Sequence, residues 1–349
     1  MRFGTTEIDF SNSKRTNSII EIGVNHNGDL DIARQLVLEI KAAGGDIVKF
    51  QAFIAAEEIS IHAEKAAYQK VTTGETGGQL EMAKALELSH QQLTTMRDFC
   101  HANGMPFLCT AFEPKSLDFL INGLGVQAIK IASSEVTAHP FLAEIAKSGV
   151  DMILSTGASN LEEVAAAVRV IEEARPGAEL VLLHCVSEYP APASEINLRA
   201  METMARAFGY PVGYSDHTSG ILAPIIASSM GACAIEKHFT LDRTMDGPDH
   251  SASIEPQELR QMVQGMAEAN AMIGDGIKRP VPSEIPQRPL IRKSIVARHD
   301  LKAGHILSLD DVALKRPANG MEPKYLDMVL GRILKRDLER DAPLQWSDF

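Results

Sequence analysis

At 349 residues with 45% hydrophobic side chains, the chain has ample material for a core but is long for one domain, which favours a large domain with a small companion or two of moderate size. Its net charge of −12 argues against non-specific nucleic-acid binding, which needs lysine and arginine to neutralise phosphates, and confines any anionic substrate to a locally basic pocket. The 4 cysteines form no CxxC pair, the opening MRFGTTEIDF is no signal peptide, and no apolar run is long enough to cross a bilayer, so a cytoplasmic protein with reduced, buried thiols and no membrane partner is expected.

In chain order, apolar runs of strand length occupy 18–25, 46–53, 106–112, 128–133, 151–157, 180–187, 211–217 and 232–240. A helical pattern follows each, and most of these patterns close on a glycine, as a left-handed C-cap requires. Ser89, Asn160 and Ser219 stand where N-caps belong, and Glu163 follows Asn160 at capping-box spacing. Eight strand–helix units with no mark of a strand-order switch predict an α/β fold of the (β/α)8 TIM-barrel type over 1–274 rather than an open doubly wound sheet. The rhythm breaks at 54–88, a long and mostly polar insertion after the second run, which reads as a lid over the pocket or else as a disordered decoration. Beyond Gly274 a proline-rich linker over 275–289 leads to a module of short strands and turns over 290–349, small enough to lean on the barrel or on another subunit.

The active site of such a barrel lies at the C-terminal strand ends, and polar residues collect there. They include Asn25, His26 and Asn27 after the first run, Thr156 after the fifth and His184 in the sixth. Lys49 and Lys130 lie inside strands, where an ammonium is costly without anionic partners. With the hydroxyls of Thr110, Ser133, Ser155 and Ser215 they resemble a cradle for a small phosphorylated carboxylate. Glu21, in an otherwise apolar strand, is either an acid or base with a raised pKa or the salt-bridge partner of Lys49. His184 and Cys185 are adjacent on one strand and face opposite ways, which argues against a thiol–imidazole pair. His217 and His238 end the last two runs; as parallel neighbours they emerge at one edge and are candidate metal ligands, with Asp216, Glu236 and Asp249 near enough in sequence to add oxygen contacts or to support the ligands from behind. Hydrogen-bonded structural histidines are the other reading.

The stretches EIGVNHNGD, VKFQAF, AYQK, QLEMAKALELS, KIAS, ILSTG, LLHCVSEYPAP, NLRAM, GYSDHTSGI, IEKHFTLD, GPDHSASIEP, RKSIVA and KRPANG run across nearly the whole chain. In this order they resemble the sialic acid synthases of the N-acetylneuraminate and legionaminate type. The resemblance implies a TIM barrel followed by a small antifreeze-like (SAF, β-clip-type) domain. It implies the condensation of phosphoenolpyruvate with N-acetylmannosamine, or a close N-acyl amino sugar, to a nonulosonic acid and phosphate, the diacetamido trideoxy sugar of legionaminate synthesis being the alternative. By the same resemblance His217 and His238 would hold a divalent ion, manganese first with magnesium or cobalt as alternatives. Lys49, Gln51, Thr110, Lys130, Ser133, Ser155 and Ser215 would bind phosphoenolpyruvate, and Glu21 and Glu236 would act near the reacting carbons. Tyr189 and Asp249 would contact the sugar, and Arg316 would reach it from the partner in a domain-swapped homodimer. KIASSEVTAHP and ILSTGASN depart from the KIPSGE and ILSTGM of many relatives. A metal-dependent aldolase, or another phosphoenolpyruvate-condensing synthase, would share the lysines and the metal but not this tail or GPDH. A non-catalytic sugar-binding protein would need the tail without so furnished a barrel.

Overall fold

Each apolar run forms one strand of a closed parallel barrel: β1 (Asn17–Gly23), β2 (Ile47–Ala52), β3 (Phe107–Ala111), β4 (Ala128–Ile131), β5 (Asp151–Ser155), β6 (Leu180–Cys185), β7 (Val212–Asp216) and β8 (Ala234–His238). Neighbours in sequence are neighbours in the sheet, and β8 returns to pair with β1, so no edge is left open. The computed structural model describes residues 1–11, 15–66, 69–70 and 77–349, and Met1–Gly274 and Asp275–Phe349 form separate units.

Side chains alternate between the two faces of a strand, and this chain uses the period to separate chemistry from support. In the floor of the barrel Ile19, Ile47, Leu108, Ala128, Ile153, Val181, Leu183 and Ala234 pack with Phe3 and Phe10 of the N-terminal segment, which turns back as a short hairpin of Arg2–Phe3 against Thr6–Glu7. Ile20, Val48, Phe50, Ile129, Leu154, Leu182 and Ile235 point the other way, into the larger core beneath the helices. Full burial of such a side chain contributes about 1.5–3 kcal/mol, so both layers hold the barrel without help from its polar mouth.

The helices are α1 (Leu30–Ala43), α2 (His90–Ala102), α3 (Pro114–Asp118, continued by a π-helical turn at Phe119–Gly123), α4 (His139–Lys147), α5 (Leu161–Ala174), α6 (Ala200–Phe208), α7 (Leu222–Ser229) and α8 (Pro256–Ile273). Gly44 closes α1 in the left-handed conformation, φ 83°, and returns its N–H to Ile40 and Lys41. Ser89 and Asn160 cap α2 and α5, each within a capping box. Ser219 does not cap α7: Gly220 takes φ 75° and the helix starts only at Leu222, with no side-chain cap. The helical pattern before α6 also starts late, because Asn197 takes φ 42° and breaks it.

Of the insertion, Ala55–Glu58 and Gln79–Leu86 are helical, and Leu80 and Ala83 pack with Val24, Phe53 and Ala55. The Lys115 ammonium ties Glu57 to the start of α3 at 2.5 Å. Residues 67–68 and 71–76, which belong to the expected lid, lie outside the described residues. All 4 cysteines are free and buried, and among the described residues no helix is long and apolar enough to cross a membrane.

The second unit pairs β9 (Ser294–Ala297) antiparallel with β10 (Val312–Lys315) over its own core, which includes Ile295, Leu301, Leu307, Val329, Leu338 and Leu344. Its leading stretch is exposed and folds into turns from Val281 onward, Glu284 capping the Val281 N–H, so it is not an extended polyproline rod.

On β7, a Cβ at Gly213 would sit 2.4 Å from Ala234 O and 2.7 Å from Leu183 Cδ2. Gly213→Ala is therefore expected to destabilise the barrel by about 1–3 kcal/mol, seen as a lower midpoint of thermal unfolding. An unchanged midpoint would show that β7 and β8 can part without cost.

Candidate active site

The inward alternation that fills the floor with aliphatics continues upward into charge. Successive inward positions change from Ile19 to Glu21 on β1, Ile47 to Lys49 on β2, Ala128 to Lys130 on β4 and Ala234 to Glu236 on β8, and these four ionisable groups meet at the base of a cavity of about 320 Å³. Glu21 accepts from Lys49 Nζ on Oε2 and from Gln51 Nε2 on Oε1, both at 2.6 Å. Glu236 lies 3.5 Å from Lys49 and 3.8 Å from Lys130, and accepts from the Ser215 hydroxyl at 3.2 Å.

Burial sets the proton affinities, and the partners decide which way each group goes. Burial raises the Glu21 carboxyl, Lys49 opposing and the Glu236 charge adding to the rise. Burial also works to raise Glu236, but Lys130, Lys49 and His217 outweigh it and hold this carboxyl below its ordinary value. Burial opposes the charge of Lys49, yet Glu21 and Glu236 keep its ammonium above the usual range. Lys130 is pulled down by burial against the opposing pull of Glu236. Glu21 is thus both the salt-bridge partner of Lys49 and a carboxyl with a raised pKa, which joins the two sequence readings.

The residues expected to cradle an anion gather around Lys130. Its ammonium donates to Ile131 O at 3.0 Å and, among the described residues, has only the long contact to Glu236 besides, which leaves donor capacity toward the cavity. Ser155 Oγ is buried without a hydrogen-bond partner, and Thr110, Ser133 and Ser215 line the same wall. Gly157 donates its N–H to Ser133 Oγ at 2.9 Å, and a Cβ there would collide with the hydroxyls of Ser187 and Ser133 and with the Cys185 thiol. Ser187, one of the polar strand-end residues of the sixth run, lines the cavity, whereas Cys185 was set aside in the sequence and joins it through the inward phase of β6.

His217 and His238 face each other with ring centroids 5.6 Å apart. His217 Nδ1 donates to Val186 O at 2.7 Å, which places its proton there and leaves Nε2 with the lone pair. His238 Nδ1 is buried without a hydrogen-bond partner, 3.8 Å from the Asp249 carboxyl. Burial lowers His217 to about 4 and, with His217 adding, lowers His238 well below its ordinary value, so both rings are neutral near pH 7. Two neutral imidazoles with an orphaned ring nitrogen fit a divalent cation. Among the described residues no group of three His, Cys, Asp or Glu forms a closed metal site, so an ion here would take its remaining ligands from substrate and water. Tyr189 stacks on His217 at 3.9 Å and meets His238 edge-on at 5.7 Å. Burial, with Glu21 adding, pushes the Asp249 carboxyl up to about 7.

Other strand-end polar residues serve the frame. Asp216 does not face the cavity; it is paired with Lys237 behind the wall at 2.5 Å. Asn25 donates to Phe239 O and Ser253 Oγ, His26 accepts from Gly28 N–H, and Thr156 donates to Leu183 O. His184 bonds Ile196 O at 2.7 Å on the outer face, opposite in phase to Cys185. Val24, Phe53 and Phe112 line the cavity with Ile59, Met82, Ala83 and Leu86 of the insertion, which also brings Glu58, Gln69 and Gln79 to it. Arg316 belongs to the second unit, where it is exposed.

Comparison with known proteins places these features in context. Residues 36–278 match the NeuB family, and residues 292–349 match the SAF domain. The chain is 44% identical over 332 residues to the N,N'-diacetyllegionaminic acid synthase of Legionella pneumophila, covering 94% of this chain and 93% of that one. It is 44% identical over 334 residues to the enzyme of the same name from Campylobacter jejuni, covering 94% and 98%. The crystal structure of the N-acetylneuraminic acid (sialic acid) synthetase of Leptospira borgpetersenii superposes with a TM-score of 0.69 at 31% identity, over 81% of this chain and 95% of that one.

Lys130→Met removes one side of a desolvated charge pair and the cation with spare donors. It is expected to weaken binding of phosphoenolpyruvate by about 2–5 kcal/mol, measured by calorimetry. An unchanged dissociation constant for phosphoenolpyruvate would remove Lys130 from the anion site.

Proposed function

Since this chain belongs to the NeuB family and carries a SAF domain, it is a synthase of sugar acids, and we propose that it condenses phosphoenolpyruvate and water with an N-acyl amino sugar to give a nonulosonic acid and phosphate. The observation that supports this reading most directly is the meeting of two buried lysines and an unpartnered serine hydroxyl with a neutral histidine pair in one cavity.

In this reading Lys49, Lys130, Thr110, Ser133, Ser155 and Ser215 hold the phosphate and carboxylate of phosphoenolpyruvate, with Gln51 fixing Glu21 beside them. Its C3 forms the new carbon–carbon bond to the sugar aldehyde carbon as the carbonyl π pair moves to oxygen, which takes up a proton to become the product hydroxyl, and positive charge develops at C2. Glu236, held as an anion, and Glu21 stabilise that charge, and Glu21 with its raised pKa orients and deprotonates the water that adds to C2. Phosphate leaves by cleavage of the bond between C2 and its oxygen. His217 and His238 would hold a divalent ion, manganese first with magnesium or cobalt as alternatives, which would supply Lewis-acid activation of the aldehyde. Tyr189 and Asp249 border the same space and orient the sugar.

For the sugar, the greater likeness to the legionaminic acid synthases, 44% against 31% for the sialic acid synthetase structure, favours the 2,4-diacetamido-2,4,6-trideoxy sugar over N-acetylmannosamine. The cavity lining agrees, because Ile59, Met82 and Leu86 offer apolar contact to a methyl at C6, while Glu58, Gln69 and Gln79 of the same segment offer polar contact to acetamido groups. A methyl in such a pocket discriminates by about 10–200-fold. Phosphate release from phosphoenolpyruvate should therefore require an N-acyl amino sugar and manganese, with the trideoxy sugar preferred to N-acetylmannosamine in kcat/KM by at least about tenfold. Release with a sugar phosphate or a plain aldose instead would overturn the reading, and a preference for N-acetylmannosamine would return the sugar to the first alternative.

The exposed Arg316 supports the further reading of a domain-swapped homodimer in which each second unit completes its partner's site by binding the N-acyl carbonyl. Mixing an Arg316→Ala chain with a His217→Ala chain is then expected to restore activity that neither has alone, since one barrel of the heterodimer has its own histidines and its partner's arginine. Absence of complementation would place the arginine in its own chain's site or in none.

A further inference from the structure

We propose that Lys237 and Asp216 are positioning residues for the His217–His238 pair, a buried ion pair behind the barrel wall that holds the two histidine-bearing strand ends in register. The inference rests on the reading of that pair as ligands of a divalent ion. β7 and β8 pair Asp216 with Lys237, one residue before each histidine and at the last rung of their ladder. Alternation sends Ser215, His217, Glu236 and His238 toward the cavity, while Asp216 and Lys237 turn away from it.

The two side chains have no exposure, and Lys237 Nζ lies 2.5 Å from Asp216 Oδ2. The same ammonium donates to Thr218 O, and Asp216 accepts from the Thr218 N–H at 3.0 Å and from its hydroxyl at 3.1 Å. Carboxylate and ammonium thus close around the backbone of His217 just where β7 stops. On the other strand, His238 has no hydrogen bond on Nδ1, so its ring is placed by the contacts with Tyr189 and His217 and by the β8 backbone that Lys237 ties to β7. A charge pair so fully removed from water adds little net stability, since apolar residues of like volume fill such a space as well. What apolar residues would not supply is the directed set of bonds to Thr218.

The test compares the wild type with Lys237→Met, with the double variant Asp216→Leu/Lys237→Met and with Asp216→Asn, which keeps an acceptor for the Thr218 N–H. Manganese binding is read from the electron paramagnetic resonance of the free ion, phosphoenolpyruvate binding by calorimetry without metal, and stability by thermal unfolding. Lys237→Met alone strands a buried carboxylate and is expected to lower the unfolding midpoint, which the double variant restores. The expected result is a manganese dissociation constant raised about 10- to 100-fold in the double variant and in Asp216→Asn, with phosphoenolpyruvate binding unchanged. A double variant of restored stability, or an intact Asp216→Asn protein, that binds manganese as the wild type does would overturn the proposal. So would a parallel loss of phosphoenolpyruvate affinity, which marks general loosening of the barrel mouth. If the wild type bound no manganese, or His238→Ala bound it equally well, the metal reading would fail and this proposal with it.

Discussion

Four ionisable side chains buried in one barrel mouth constrain everything around them. Glu21, Lys49, Lys130 and Glu236 are each no more than 4% exposed, so their charges are compensated by one another and by polar neighbours rather than by water. Two carboxylates and two ammoniums balance only as a set: Lys49 bridges Glu21 and Glu236, and Lys130 reaches Glu236 from the far side. The set is nevertheless incomplete, because Glu236 Oε2 and Ser155 Oγ are buried without hydrogen-bond partners and Lys130 has donors to spare.

A mouth of this kind is held by what lies beneath and behind it. The aliphatic floor with Phe3 and Phe10 supplies stability from inside, and the helix-facing core supplies it from outside, so the polar layer is free to be arranged for chemistry. The same two-residue period that separates floor from core also separates reactive residues from those that aim them. On β7 and β8 the inward positions carry Ser215, His217, Glu236 and His238, and the outward ones carry the Asp216–Lys237 pair. At the rim, Asn25 fastens the end of β1 to the segments that follow β8, while His250 bonds Thr240 and lies behind Asp249 in the chain.

Legibility differed from feature to feature for physical reasons. The eight strands and Glu21, Lys49, Lys130, His217 and His238 could be read directly, because a strand needs an apolar run and a charged residue inside one is conspicuous. For Asp216 the sequence left open a direct oxygen contact or support of a histidine from behind, since adjacency along a strand does not say which; its side chain turns away from the cavity onto Lys237. Ser219 had the chemistry of a cap but not the backbone, because Gly220 diverts the chain before α7 begins. The residues of the insertion that line the cavity carry no pattern of their own; they join the site only because separate segments converge on it.

By itself, therefore, the sequence determined the alternating strand–helix order, the barrel it closes into, the family and the chemical identity of the inward residues. These follow from local periodicity and from the cost of placing charge in an apolar run. Only the tertiary structure decided the charge states and partners of those residues. Whether Glu21 is a free acid or an ion-pair partner, which nitrogen of His217 carries its proton, and which acids face the histidines all depend on distances between strands far apart in the chain. Burial and long-range pairing set them, and neither can be read from the order of residues along one strand.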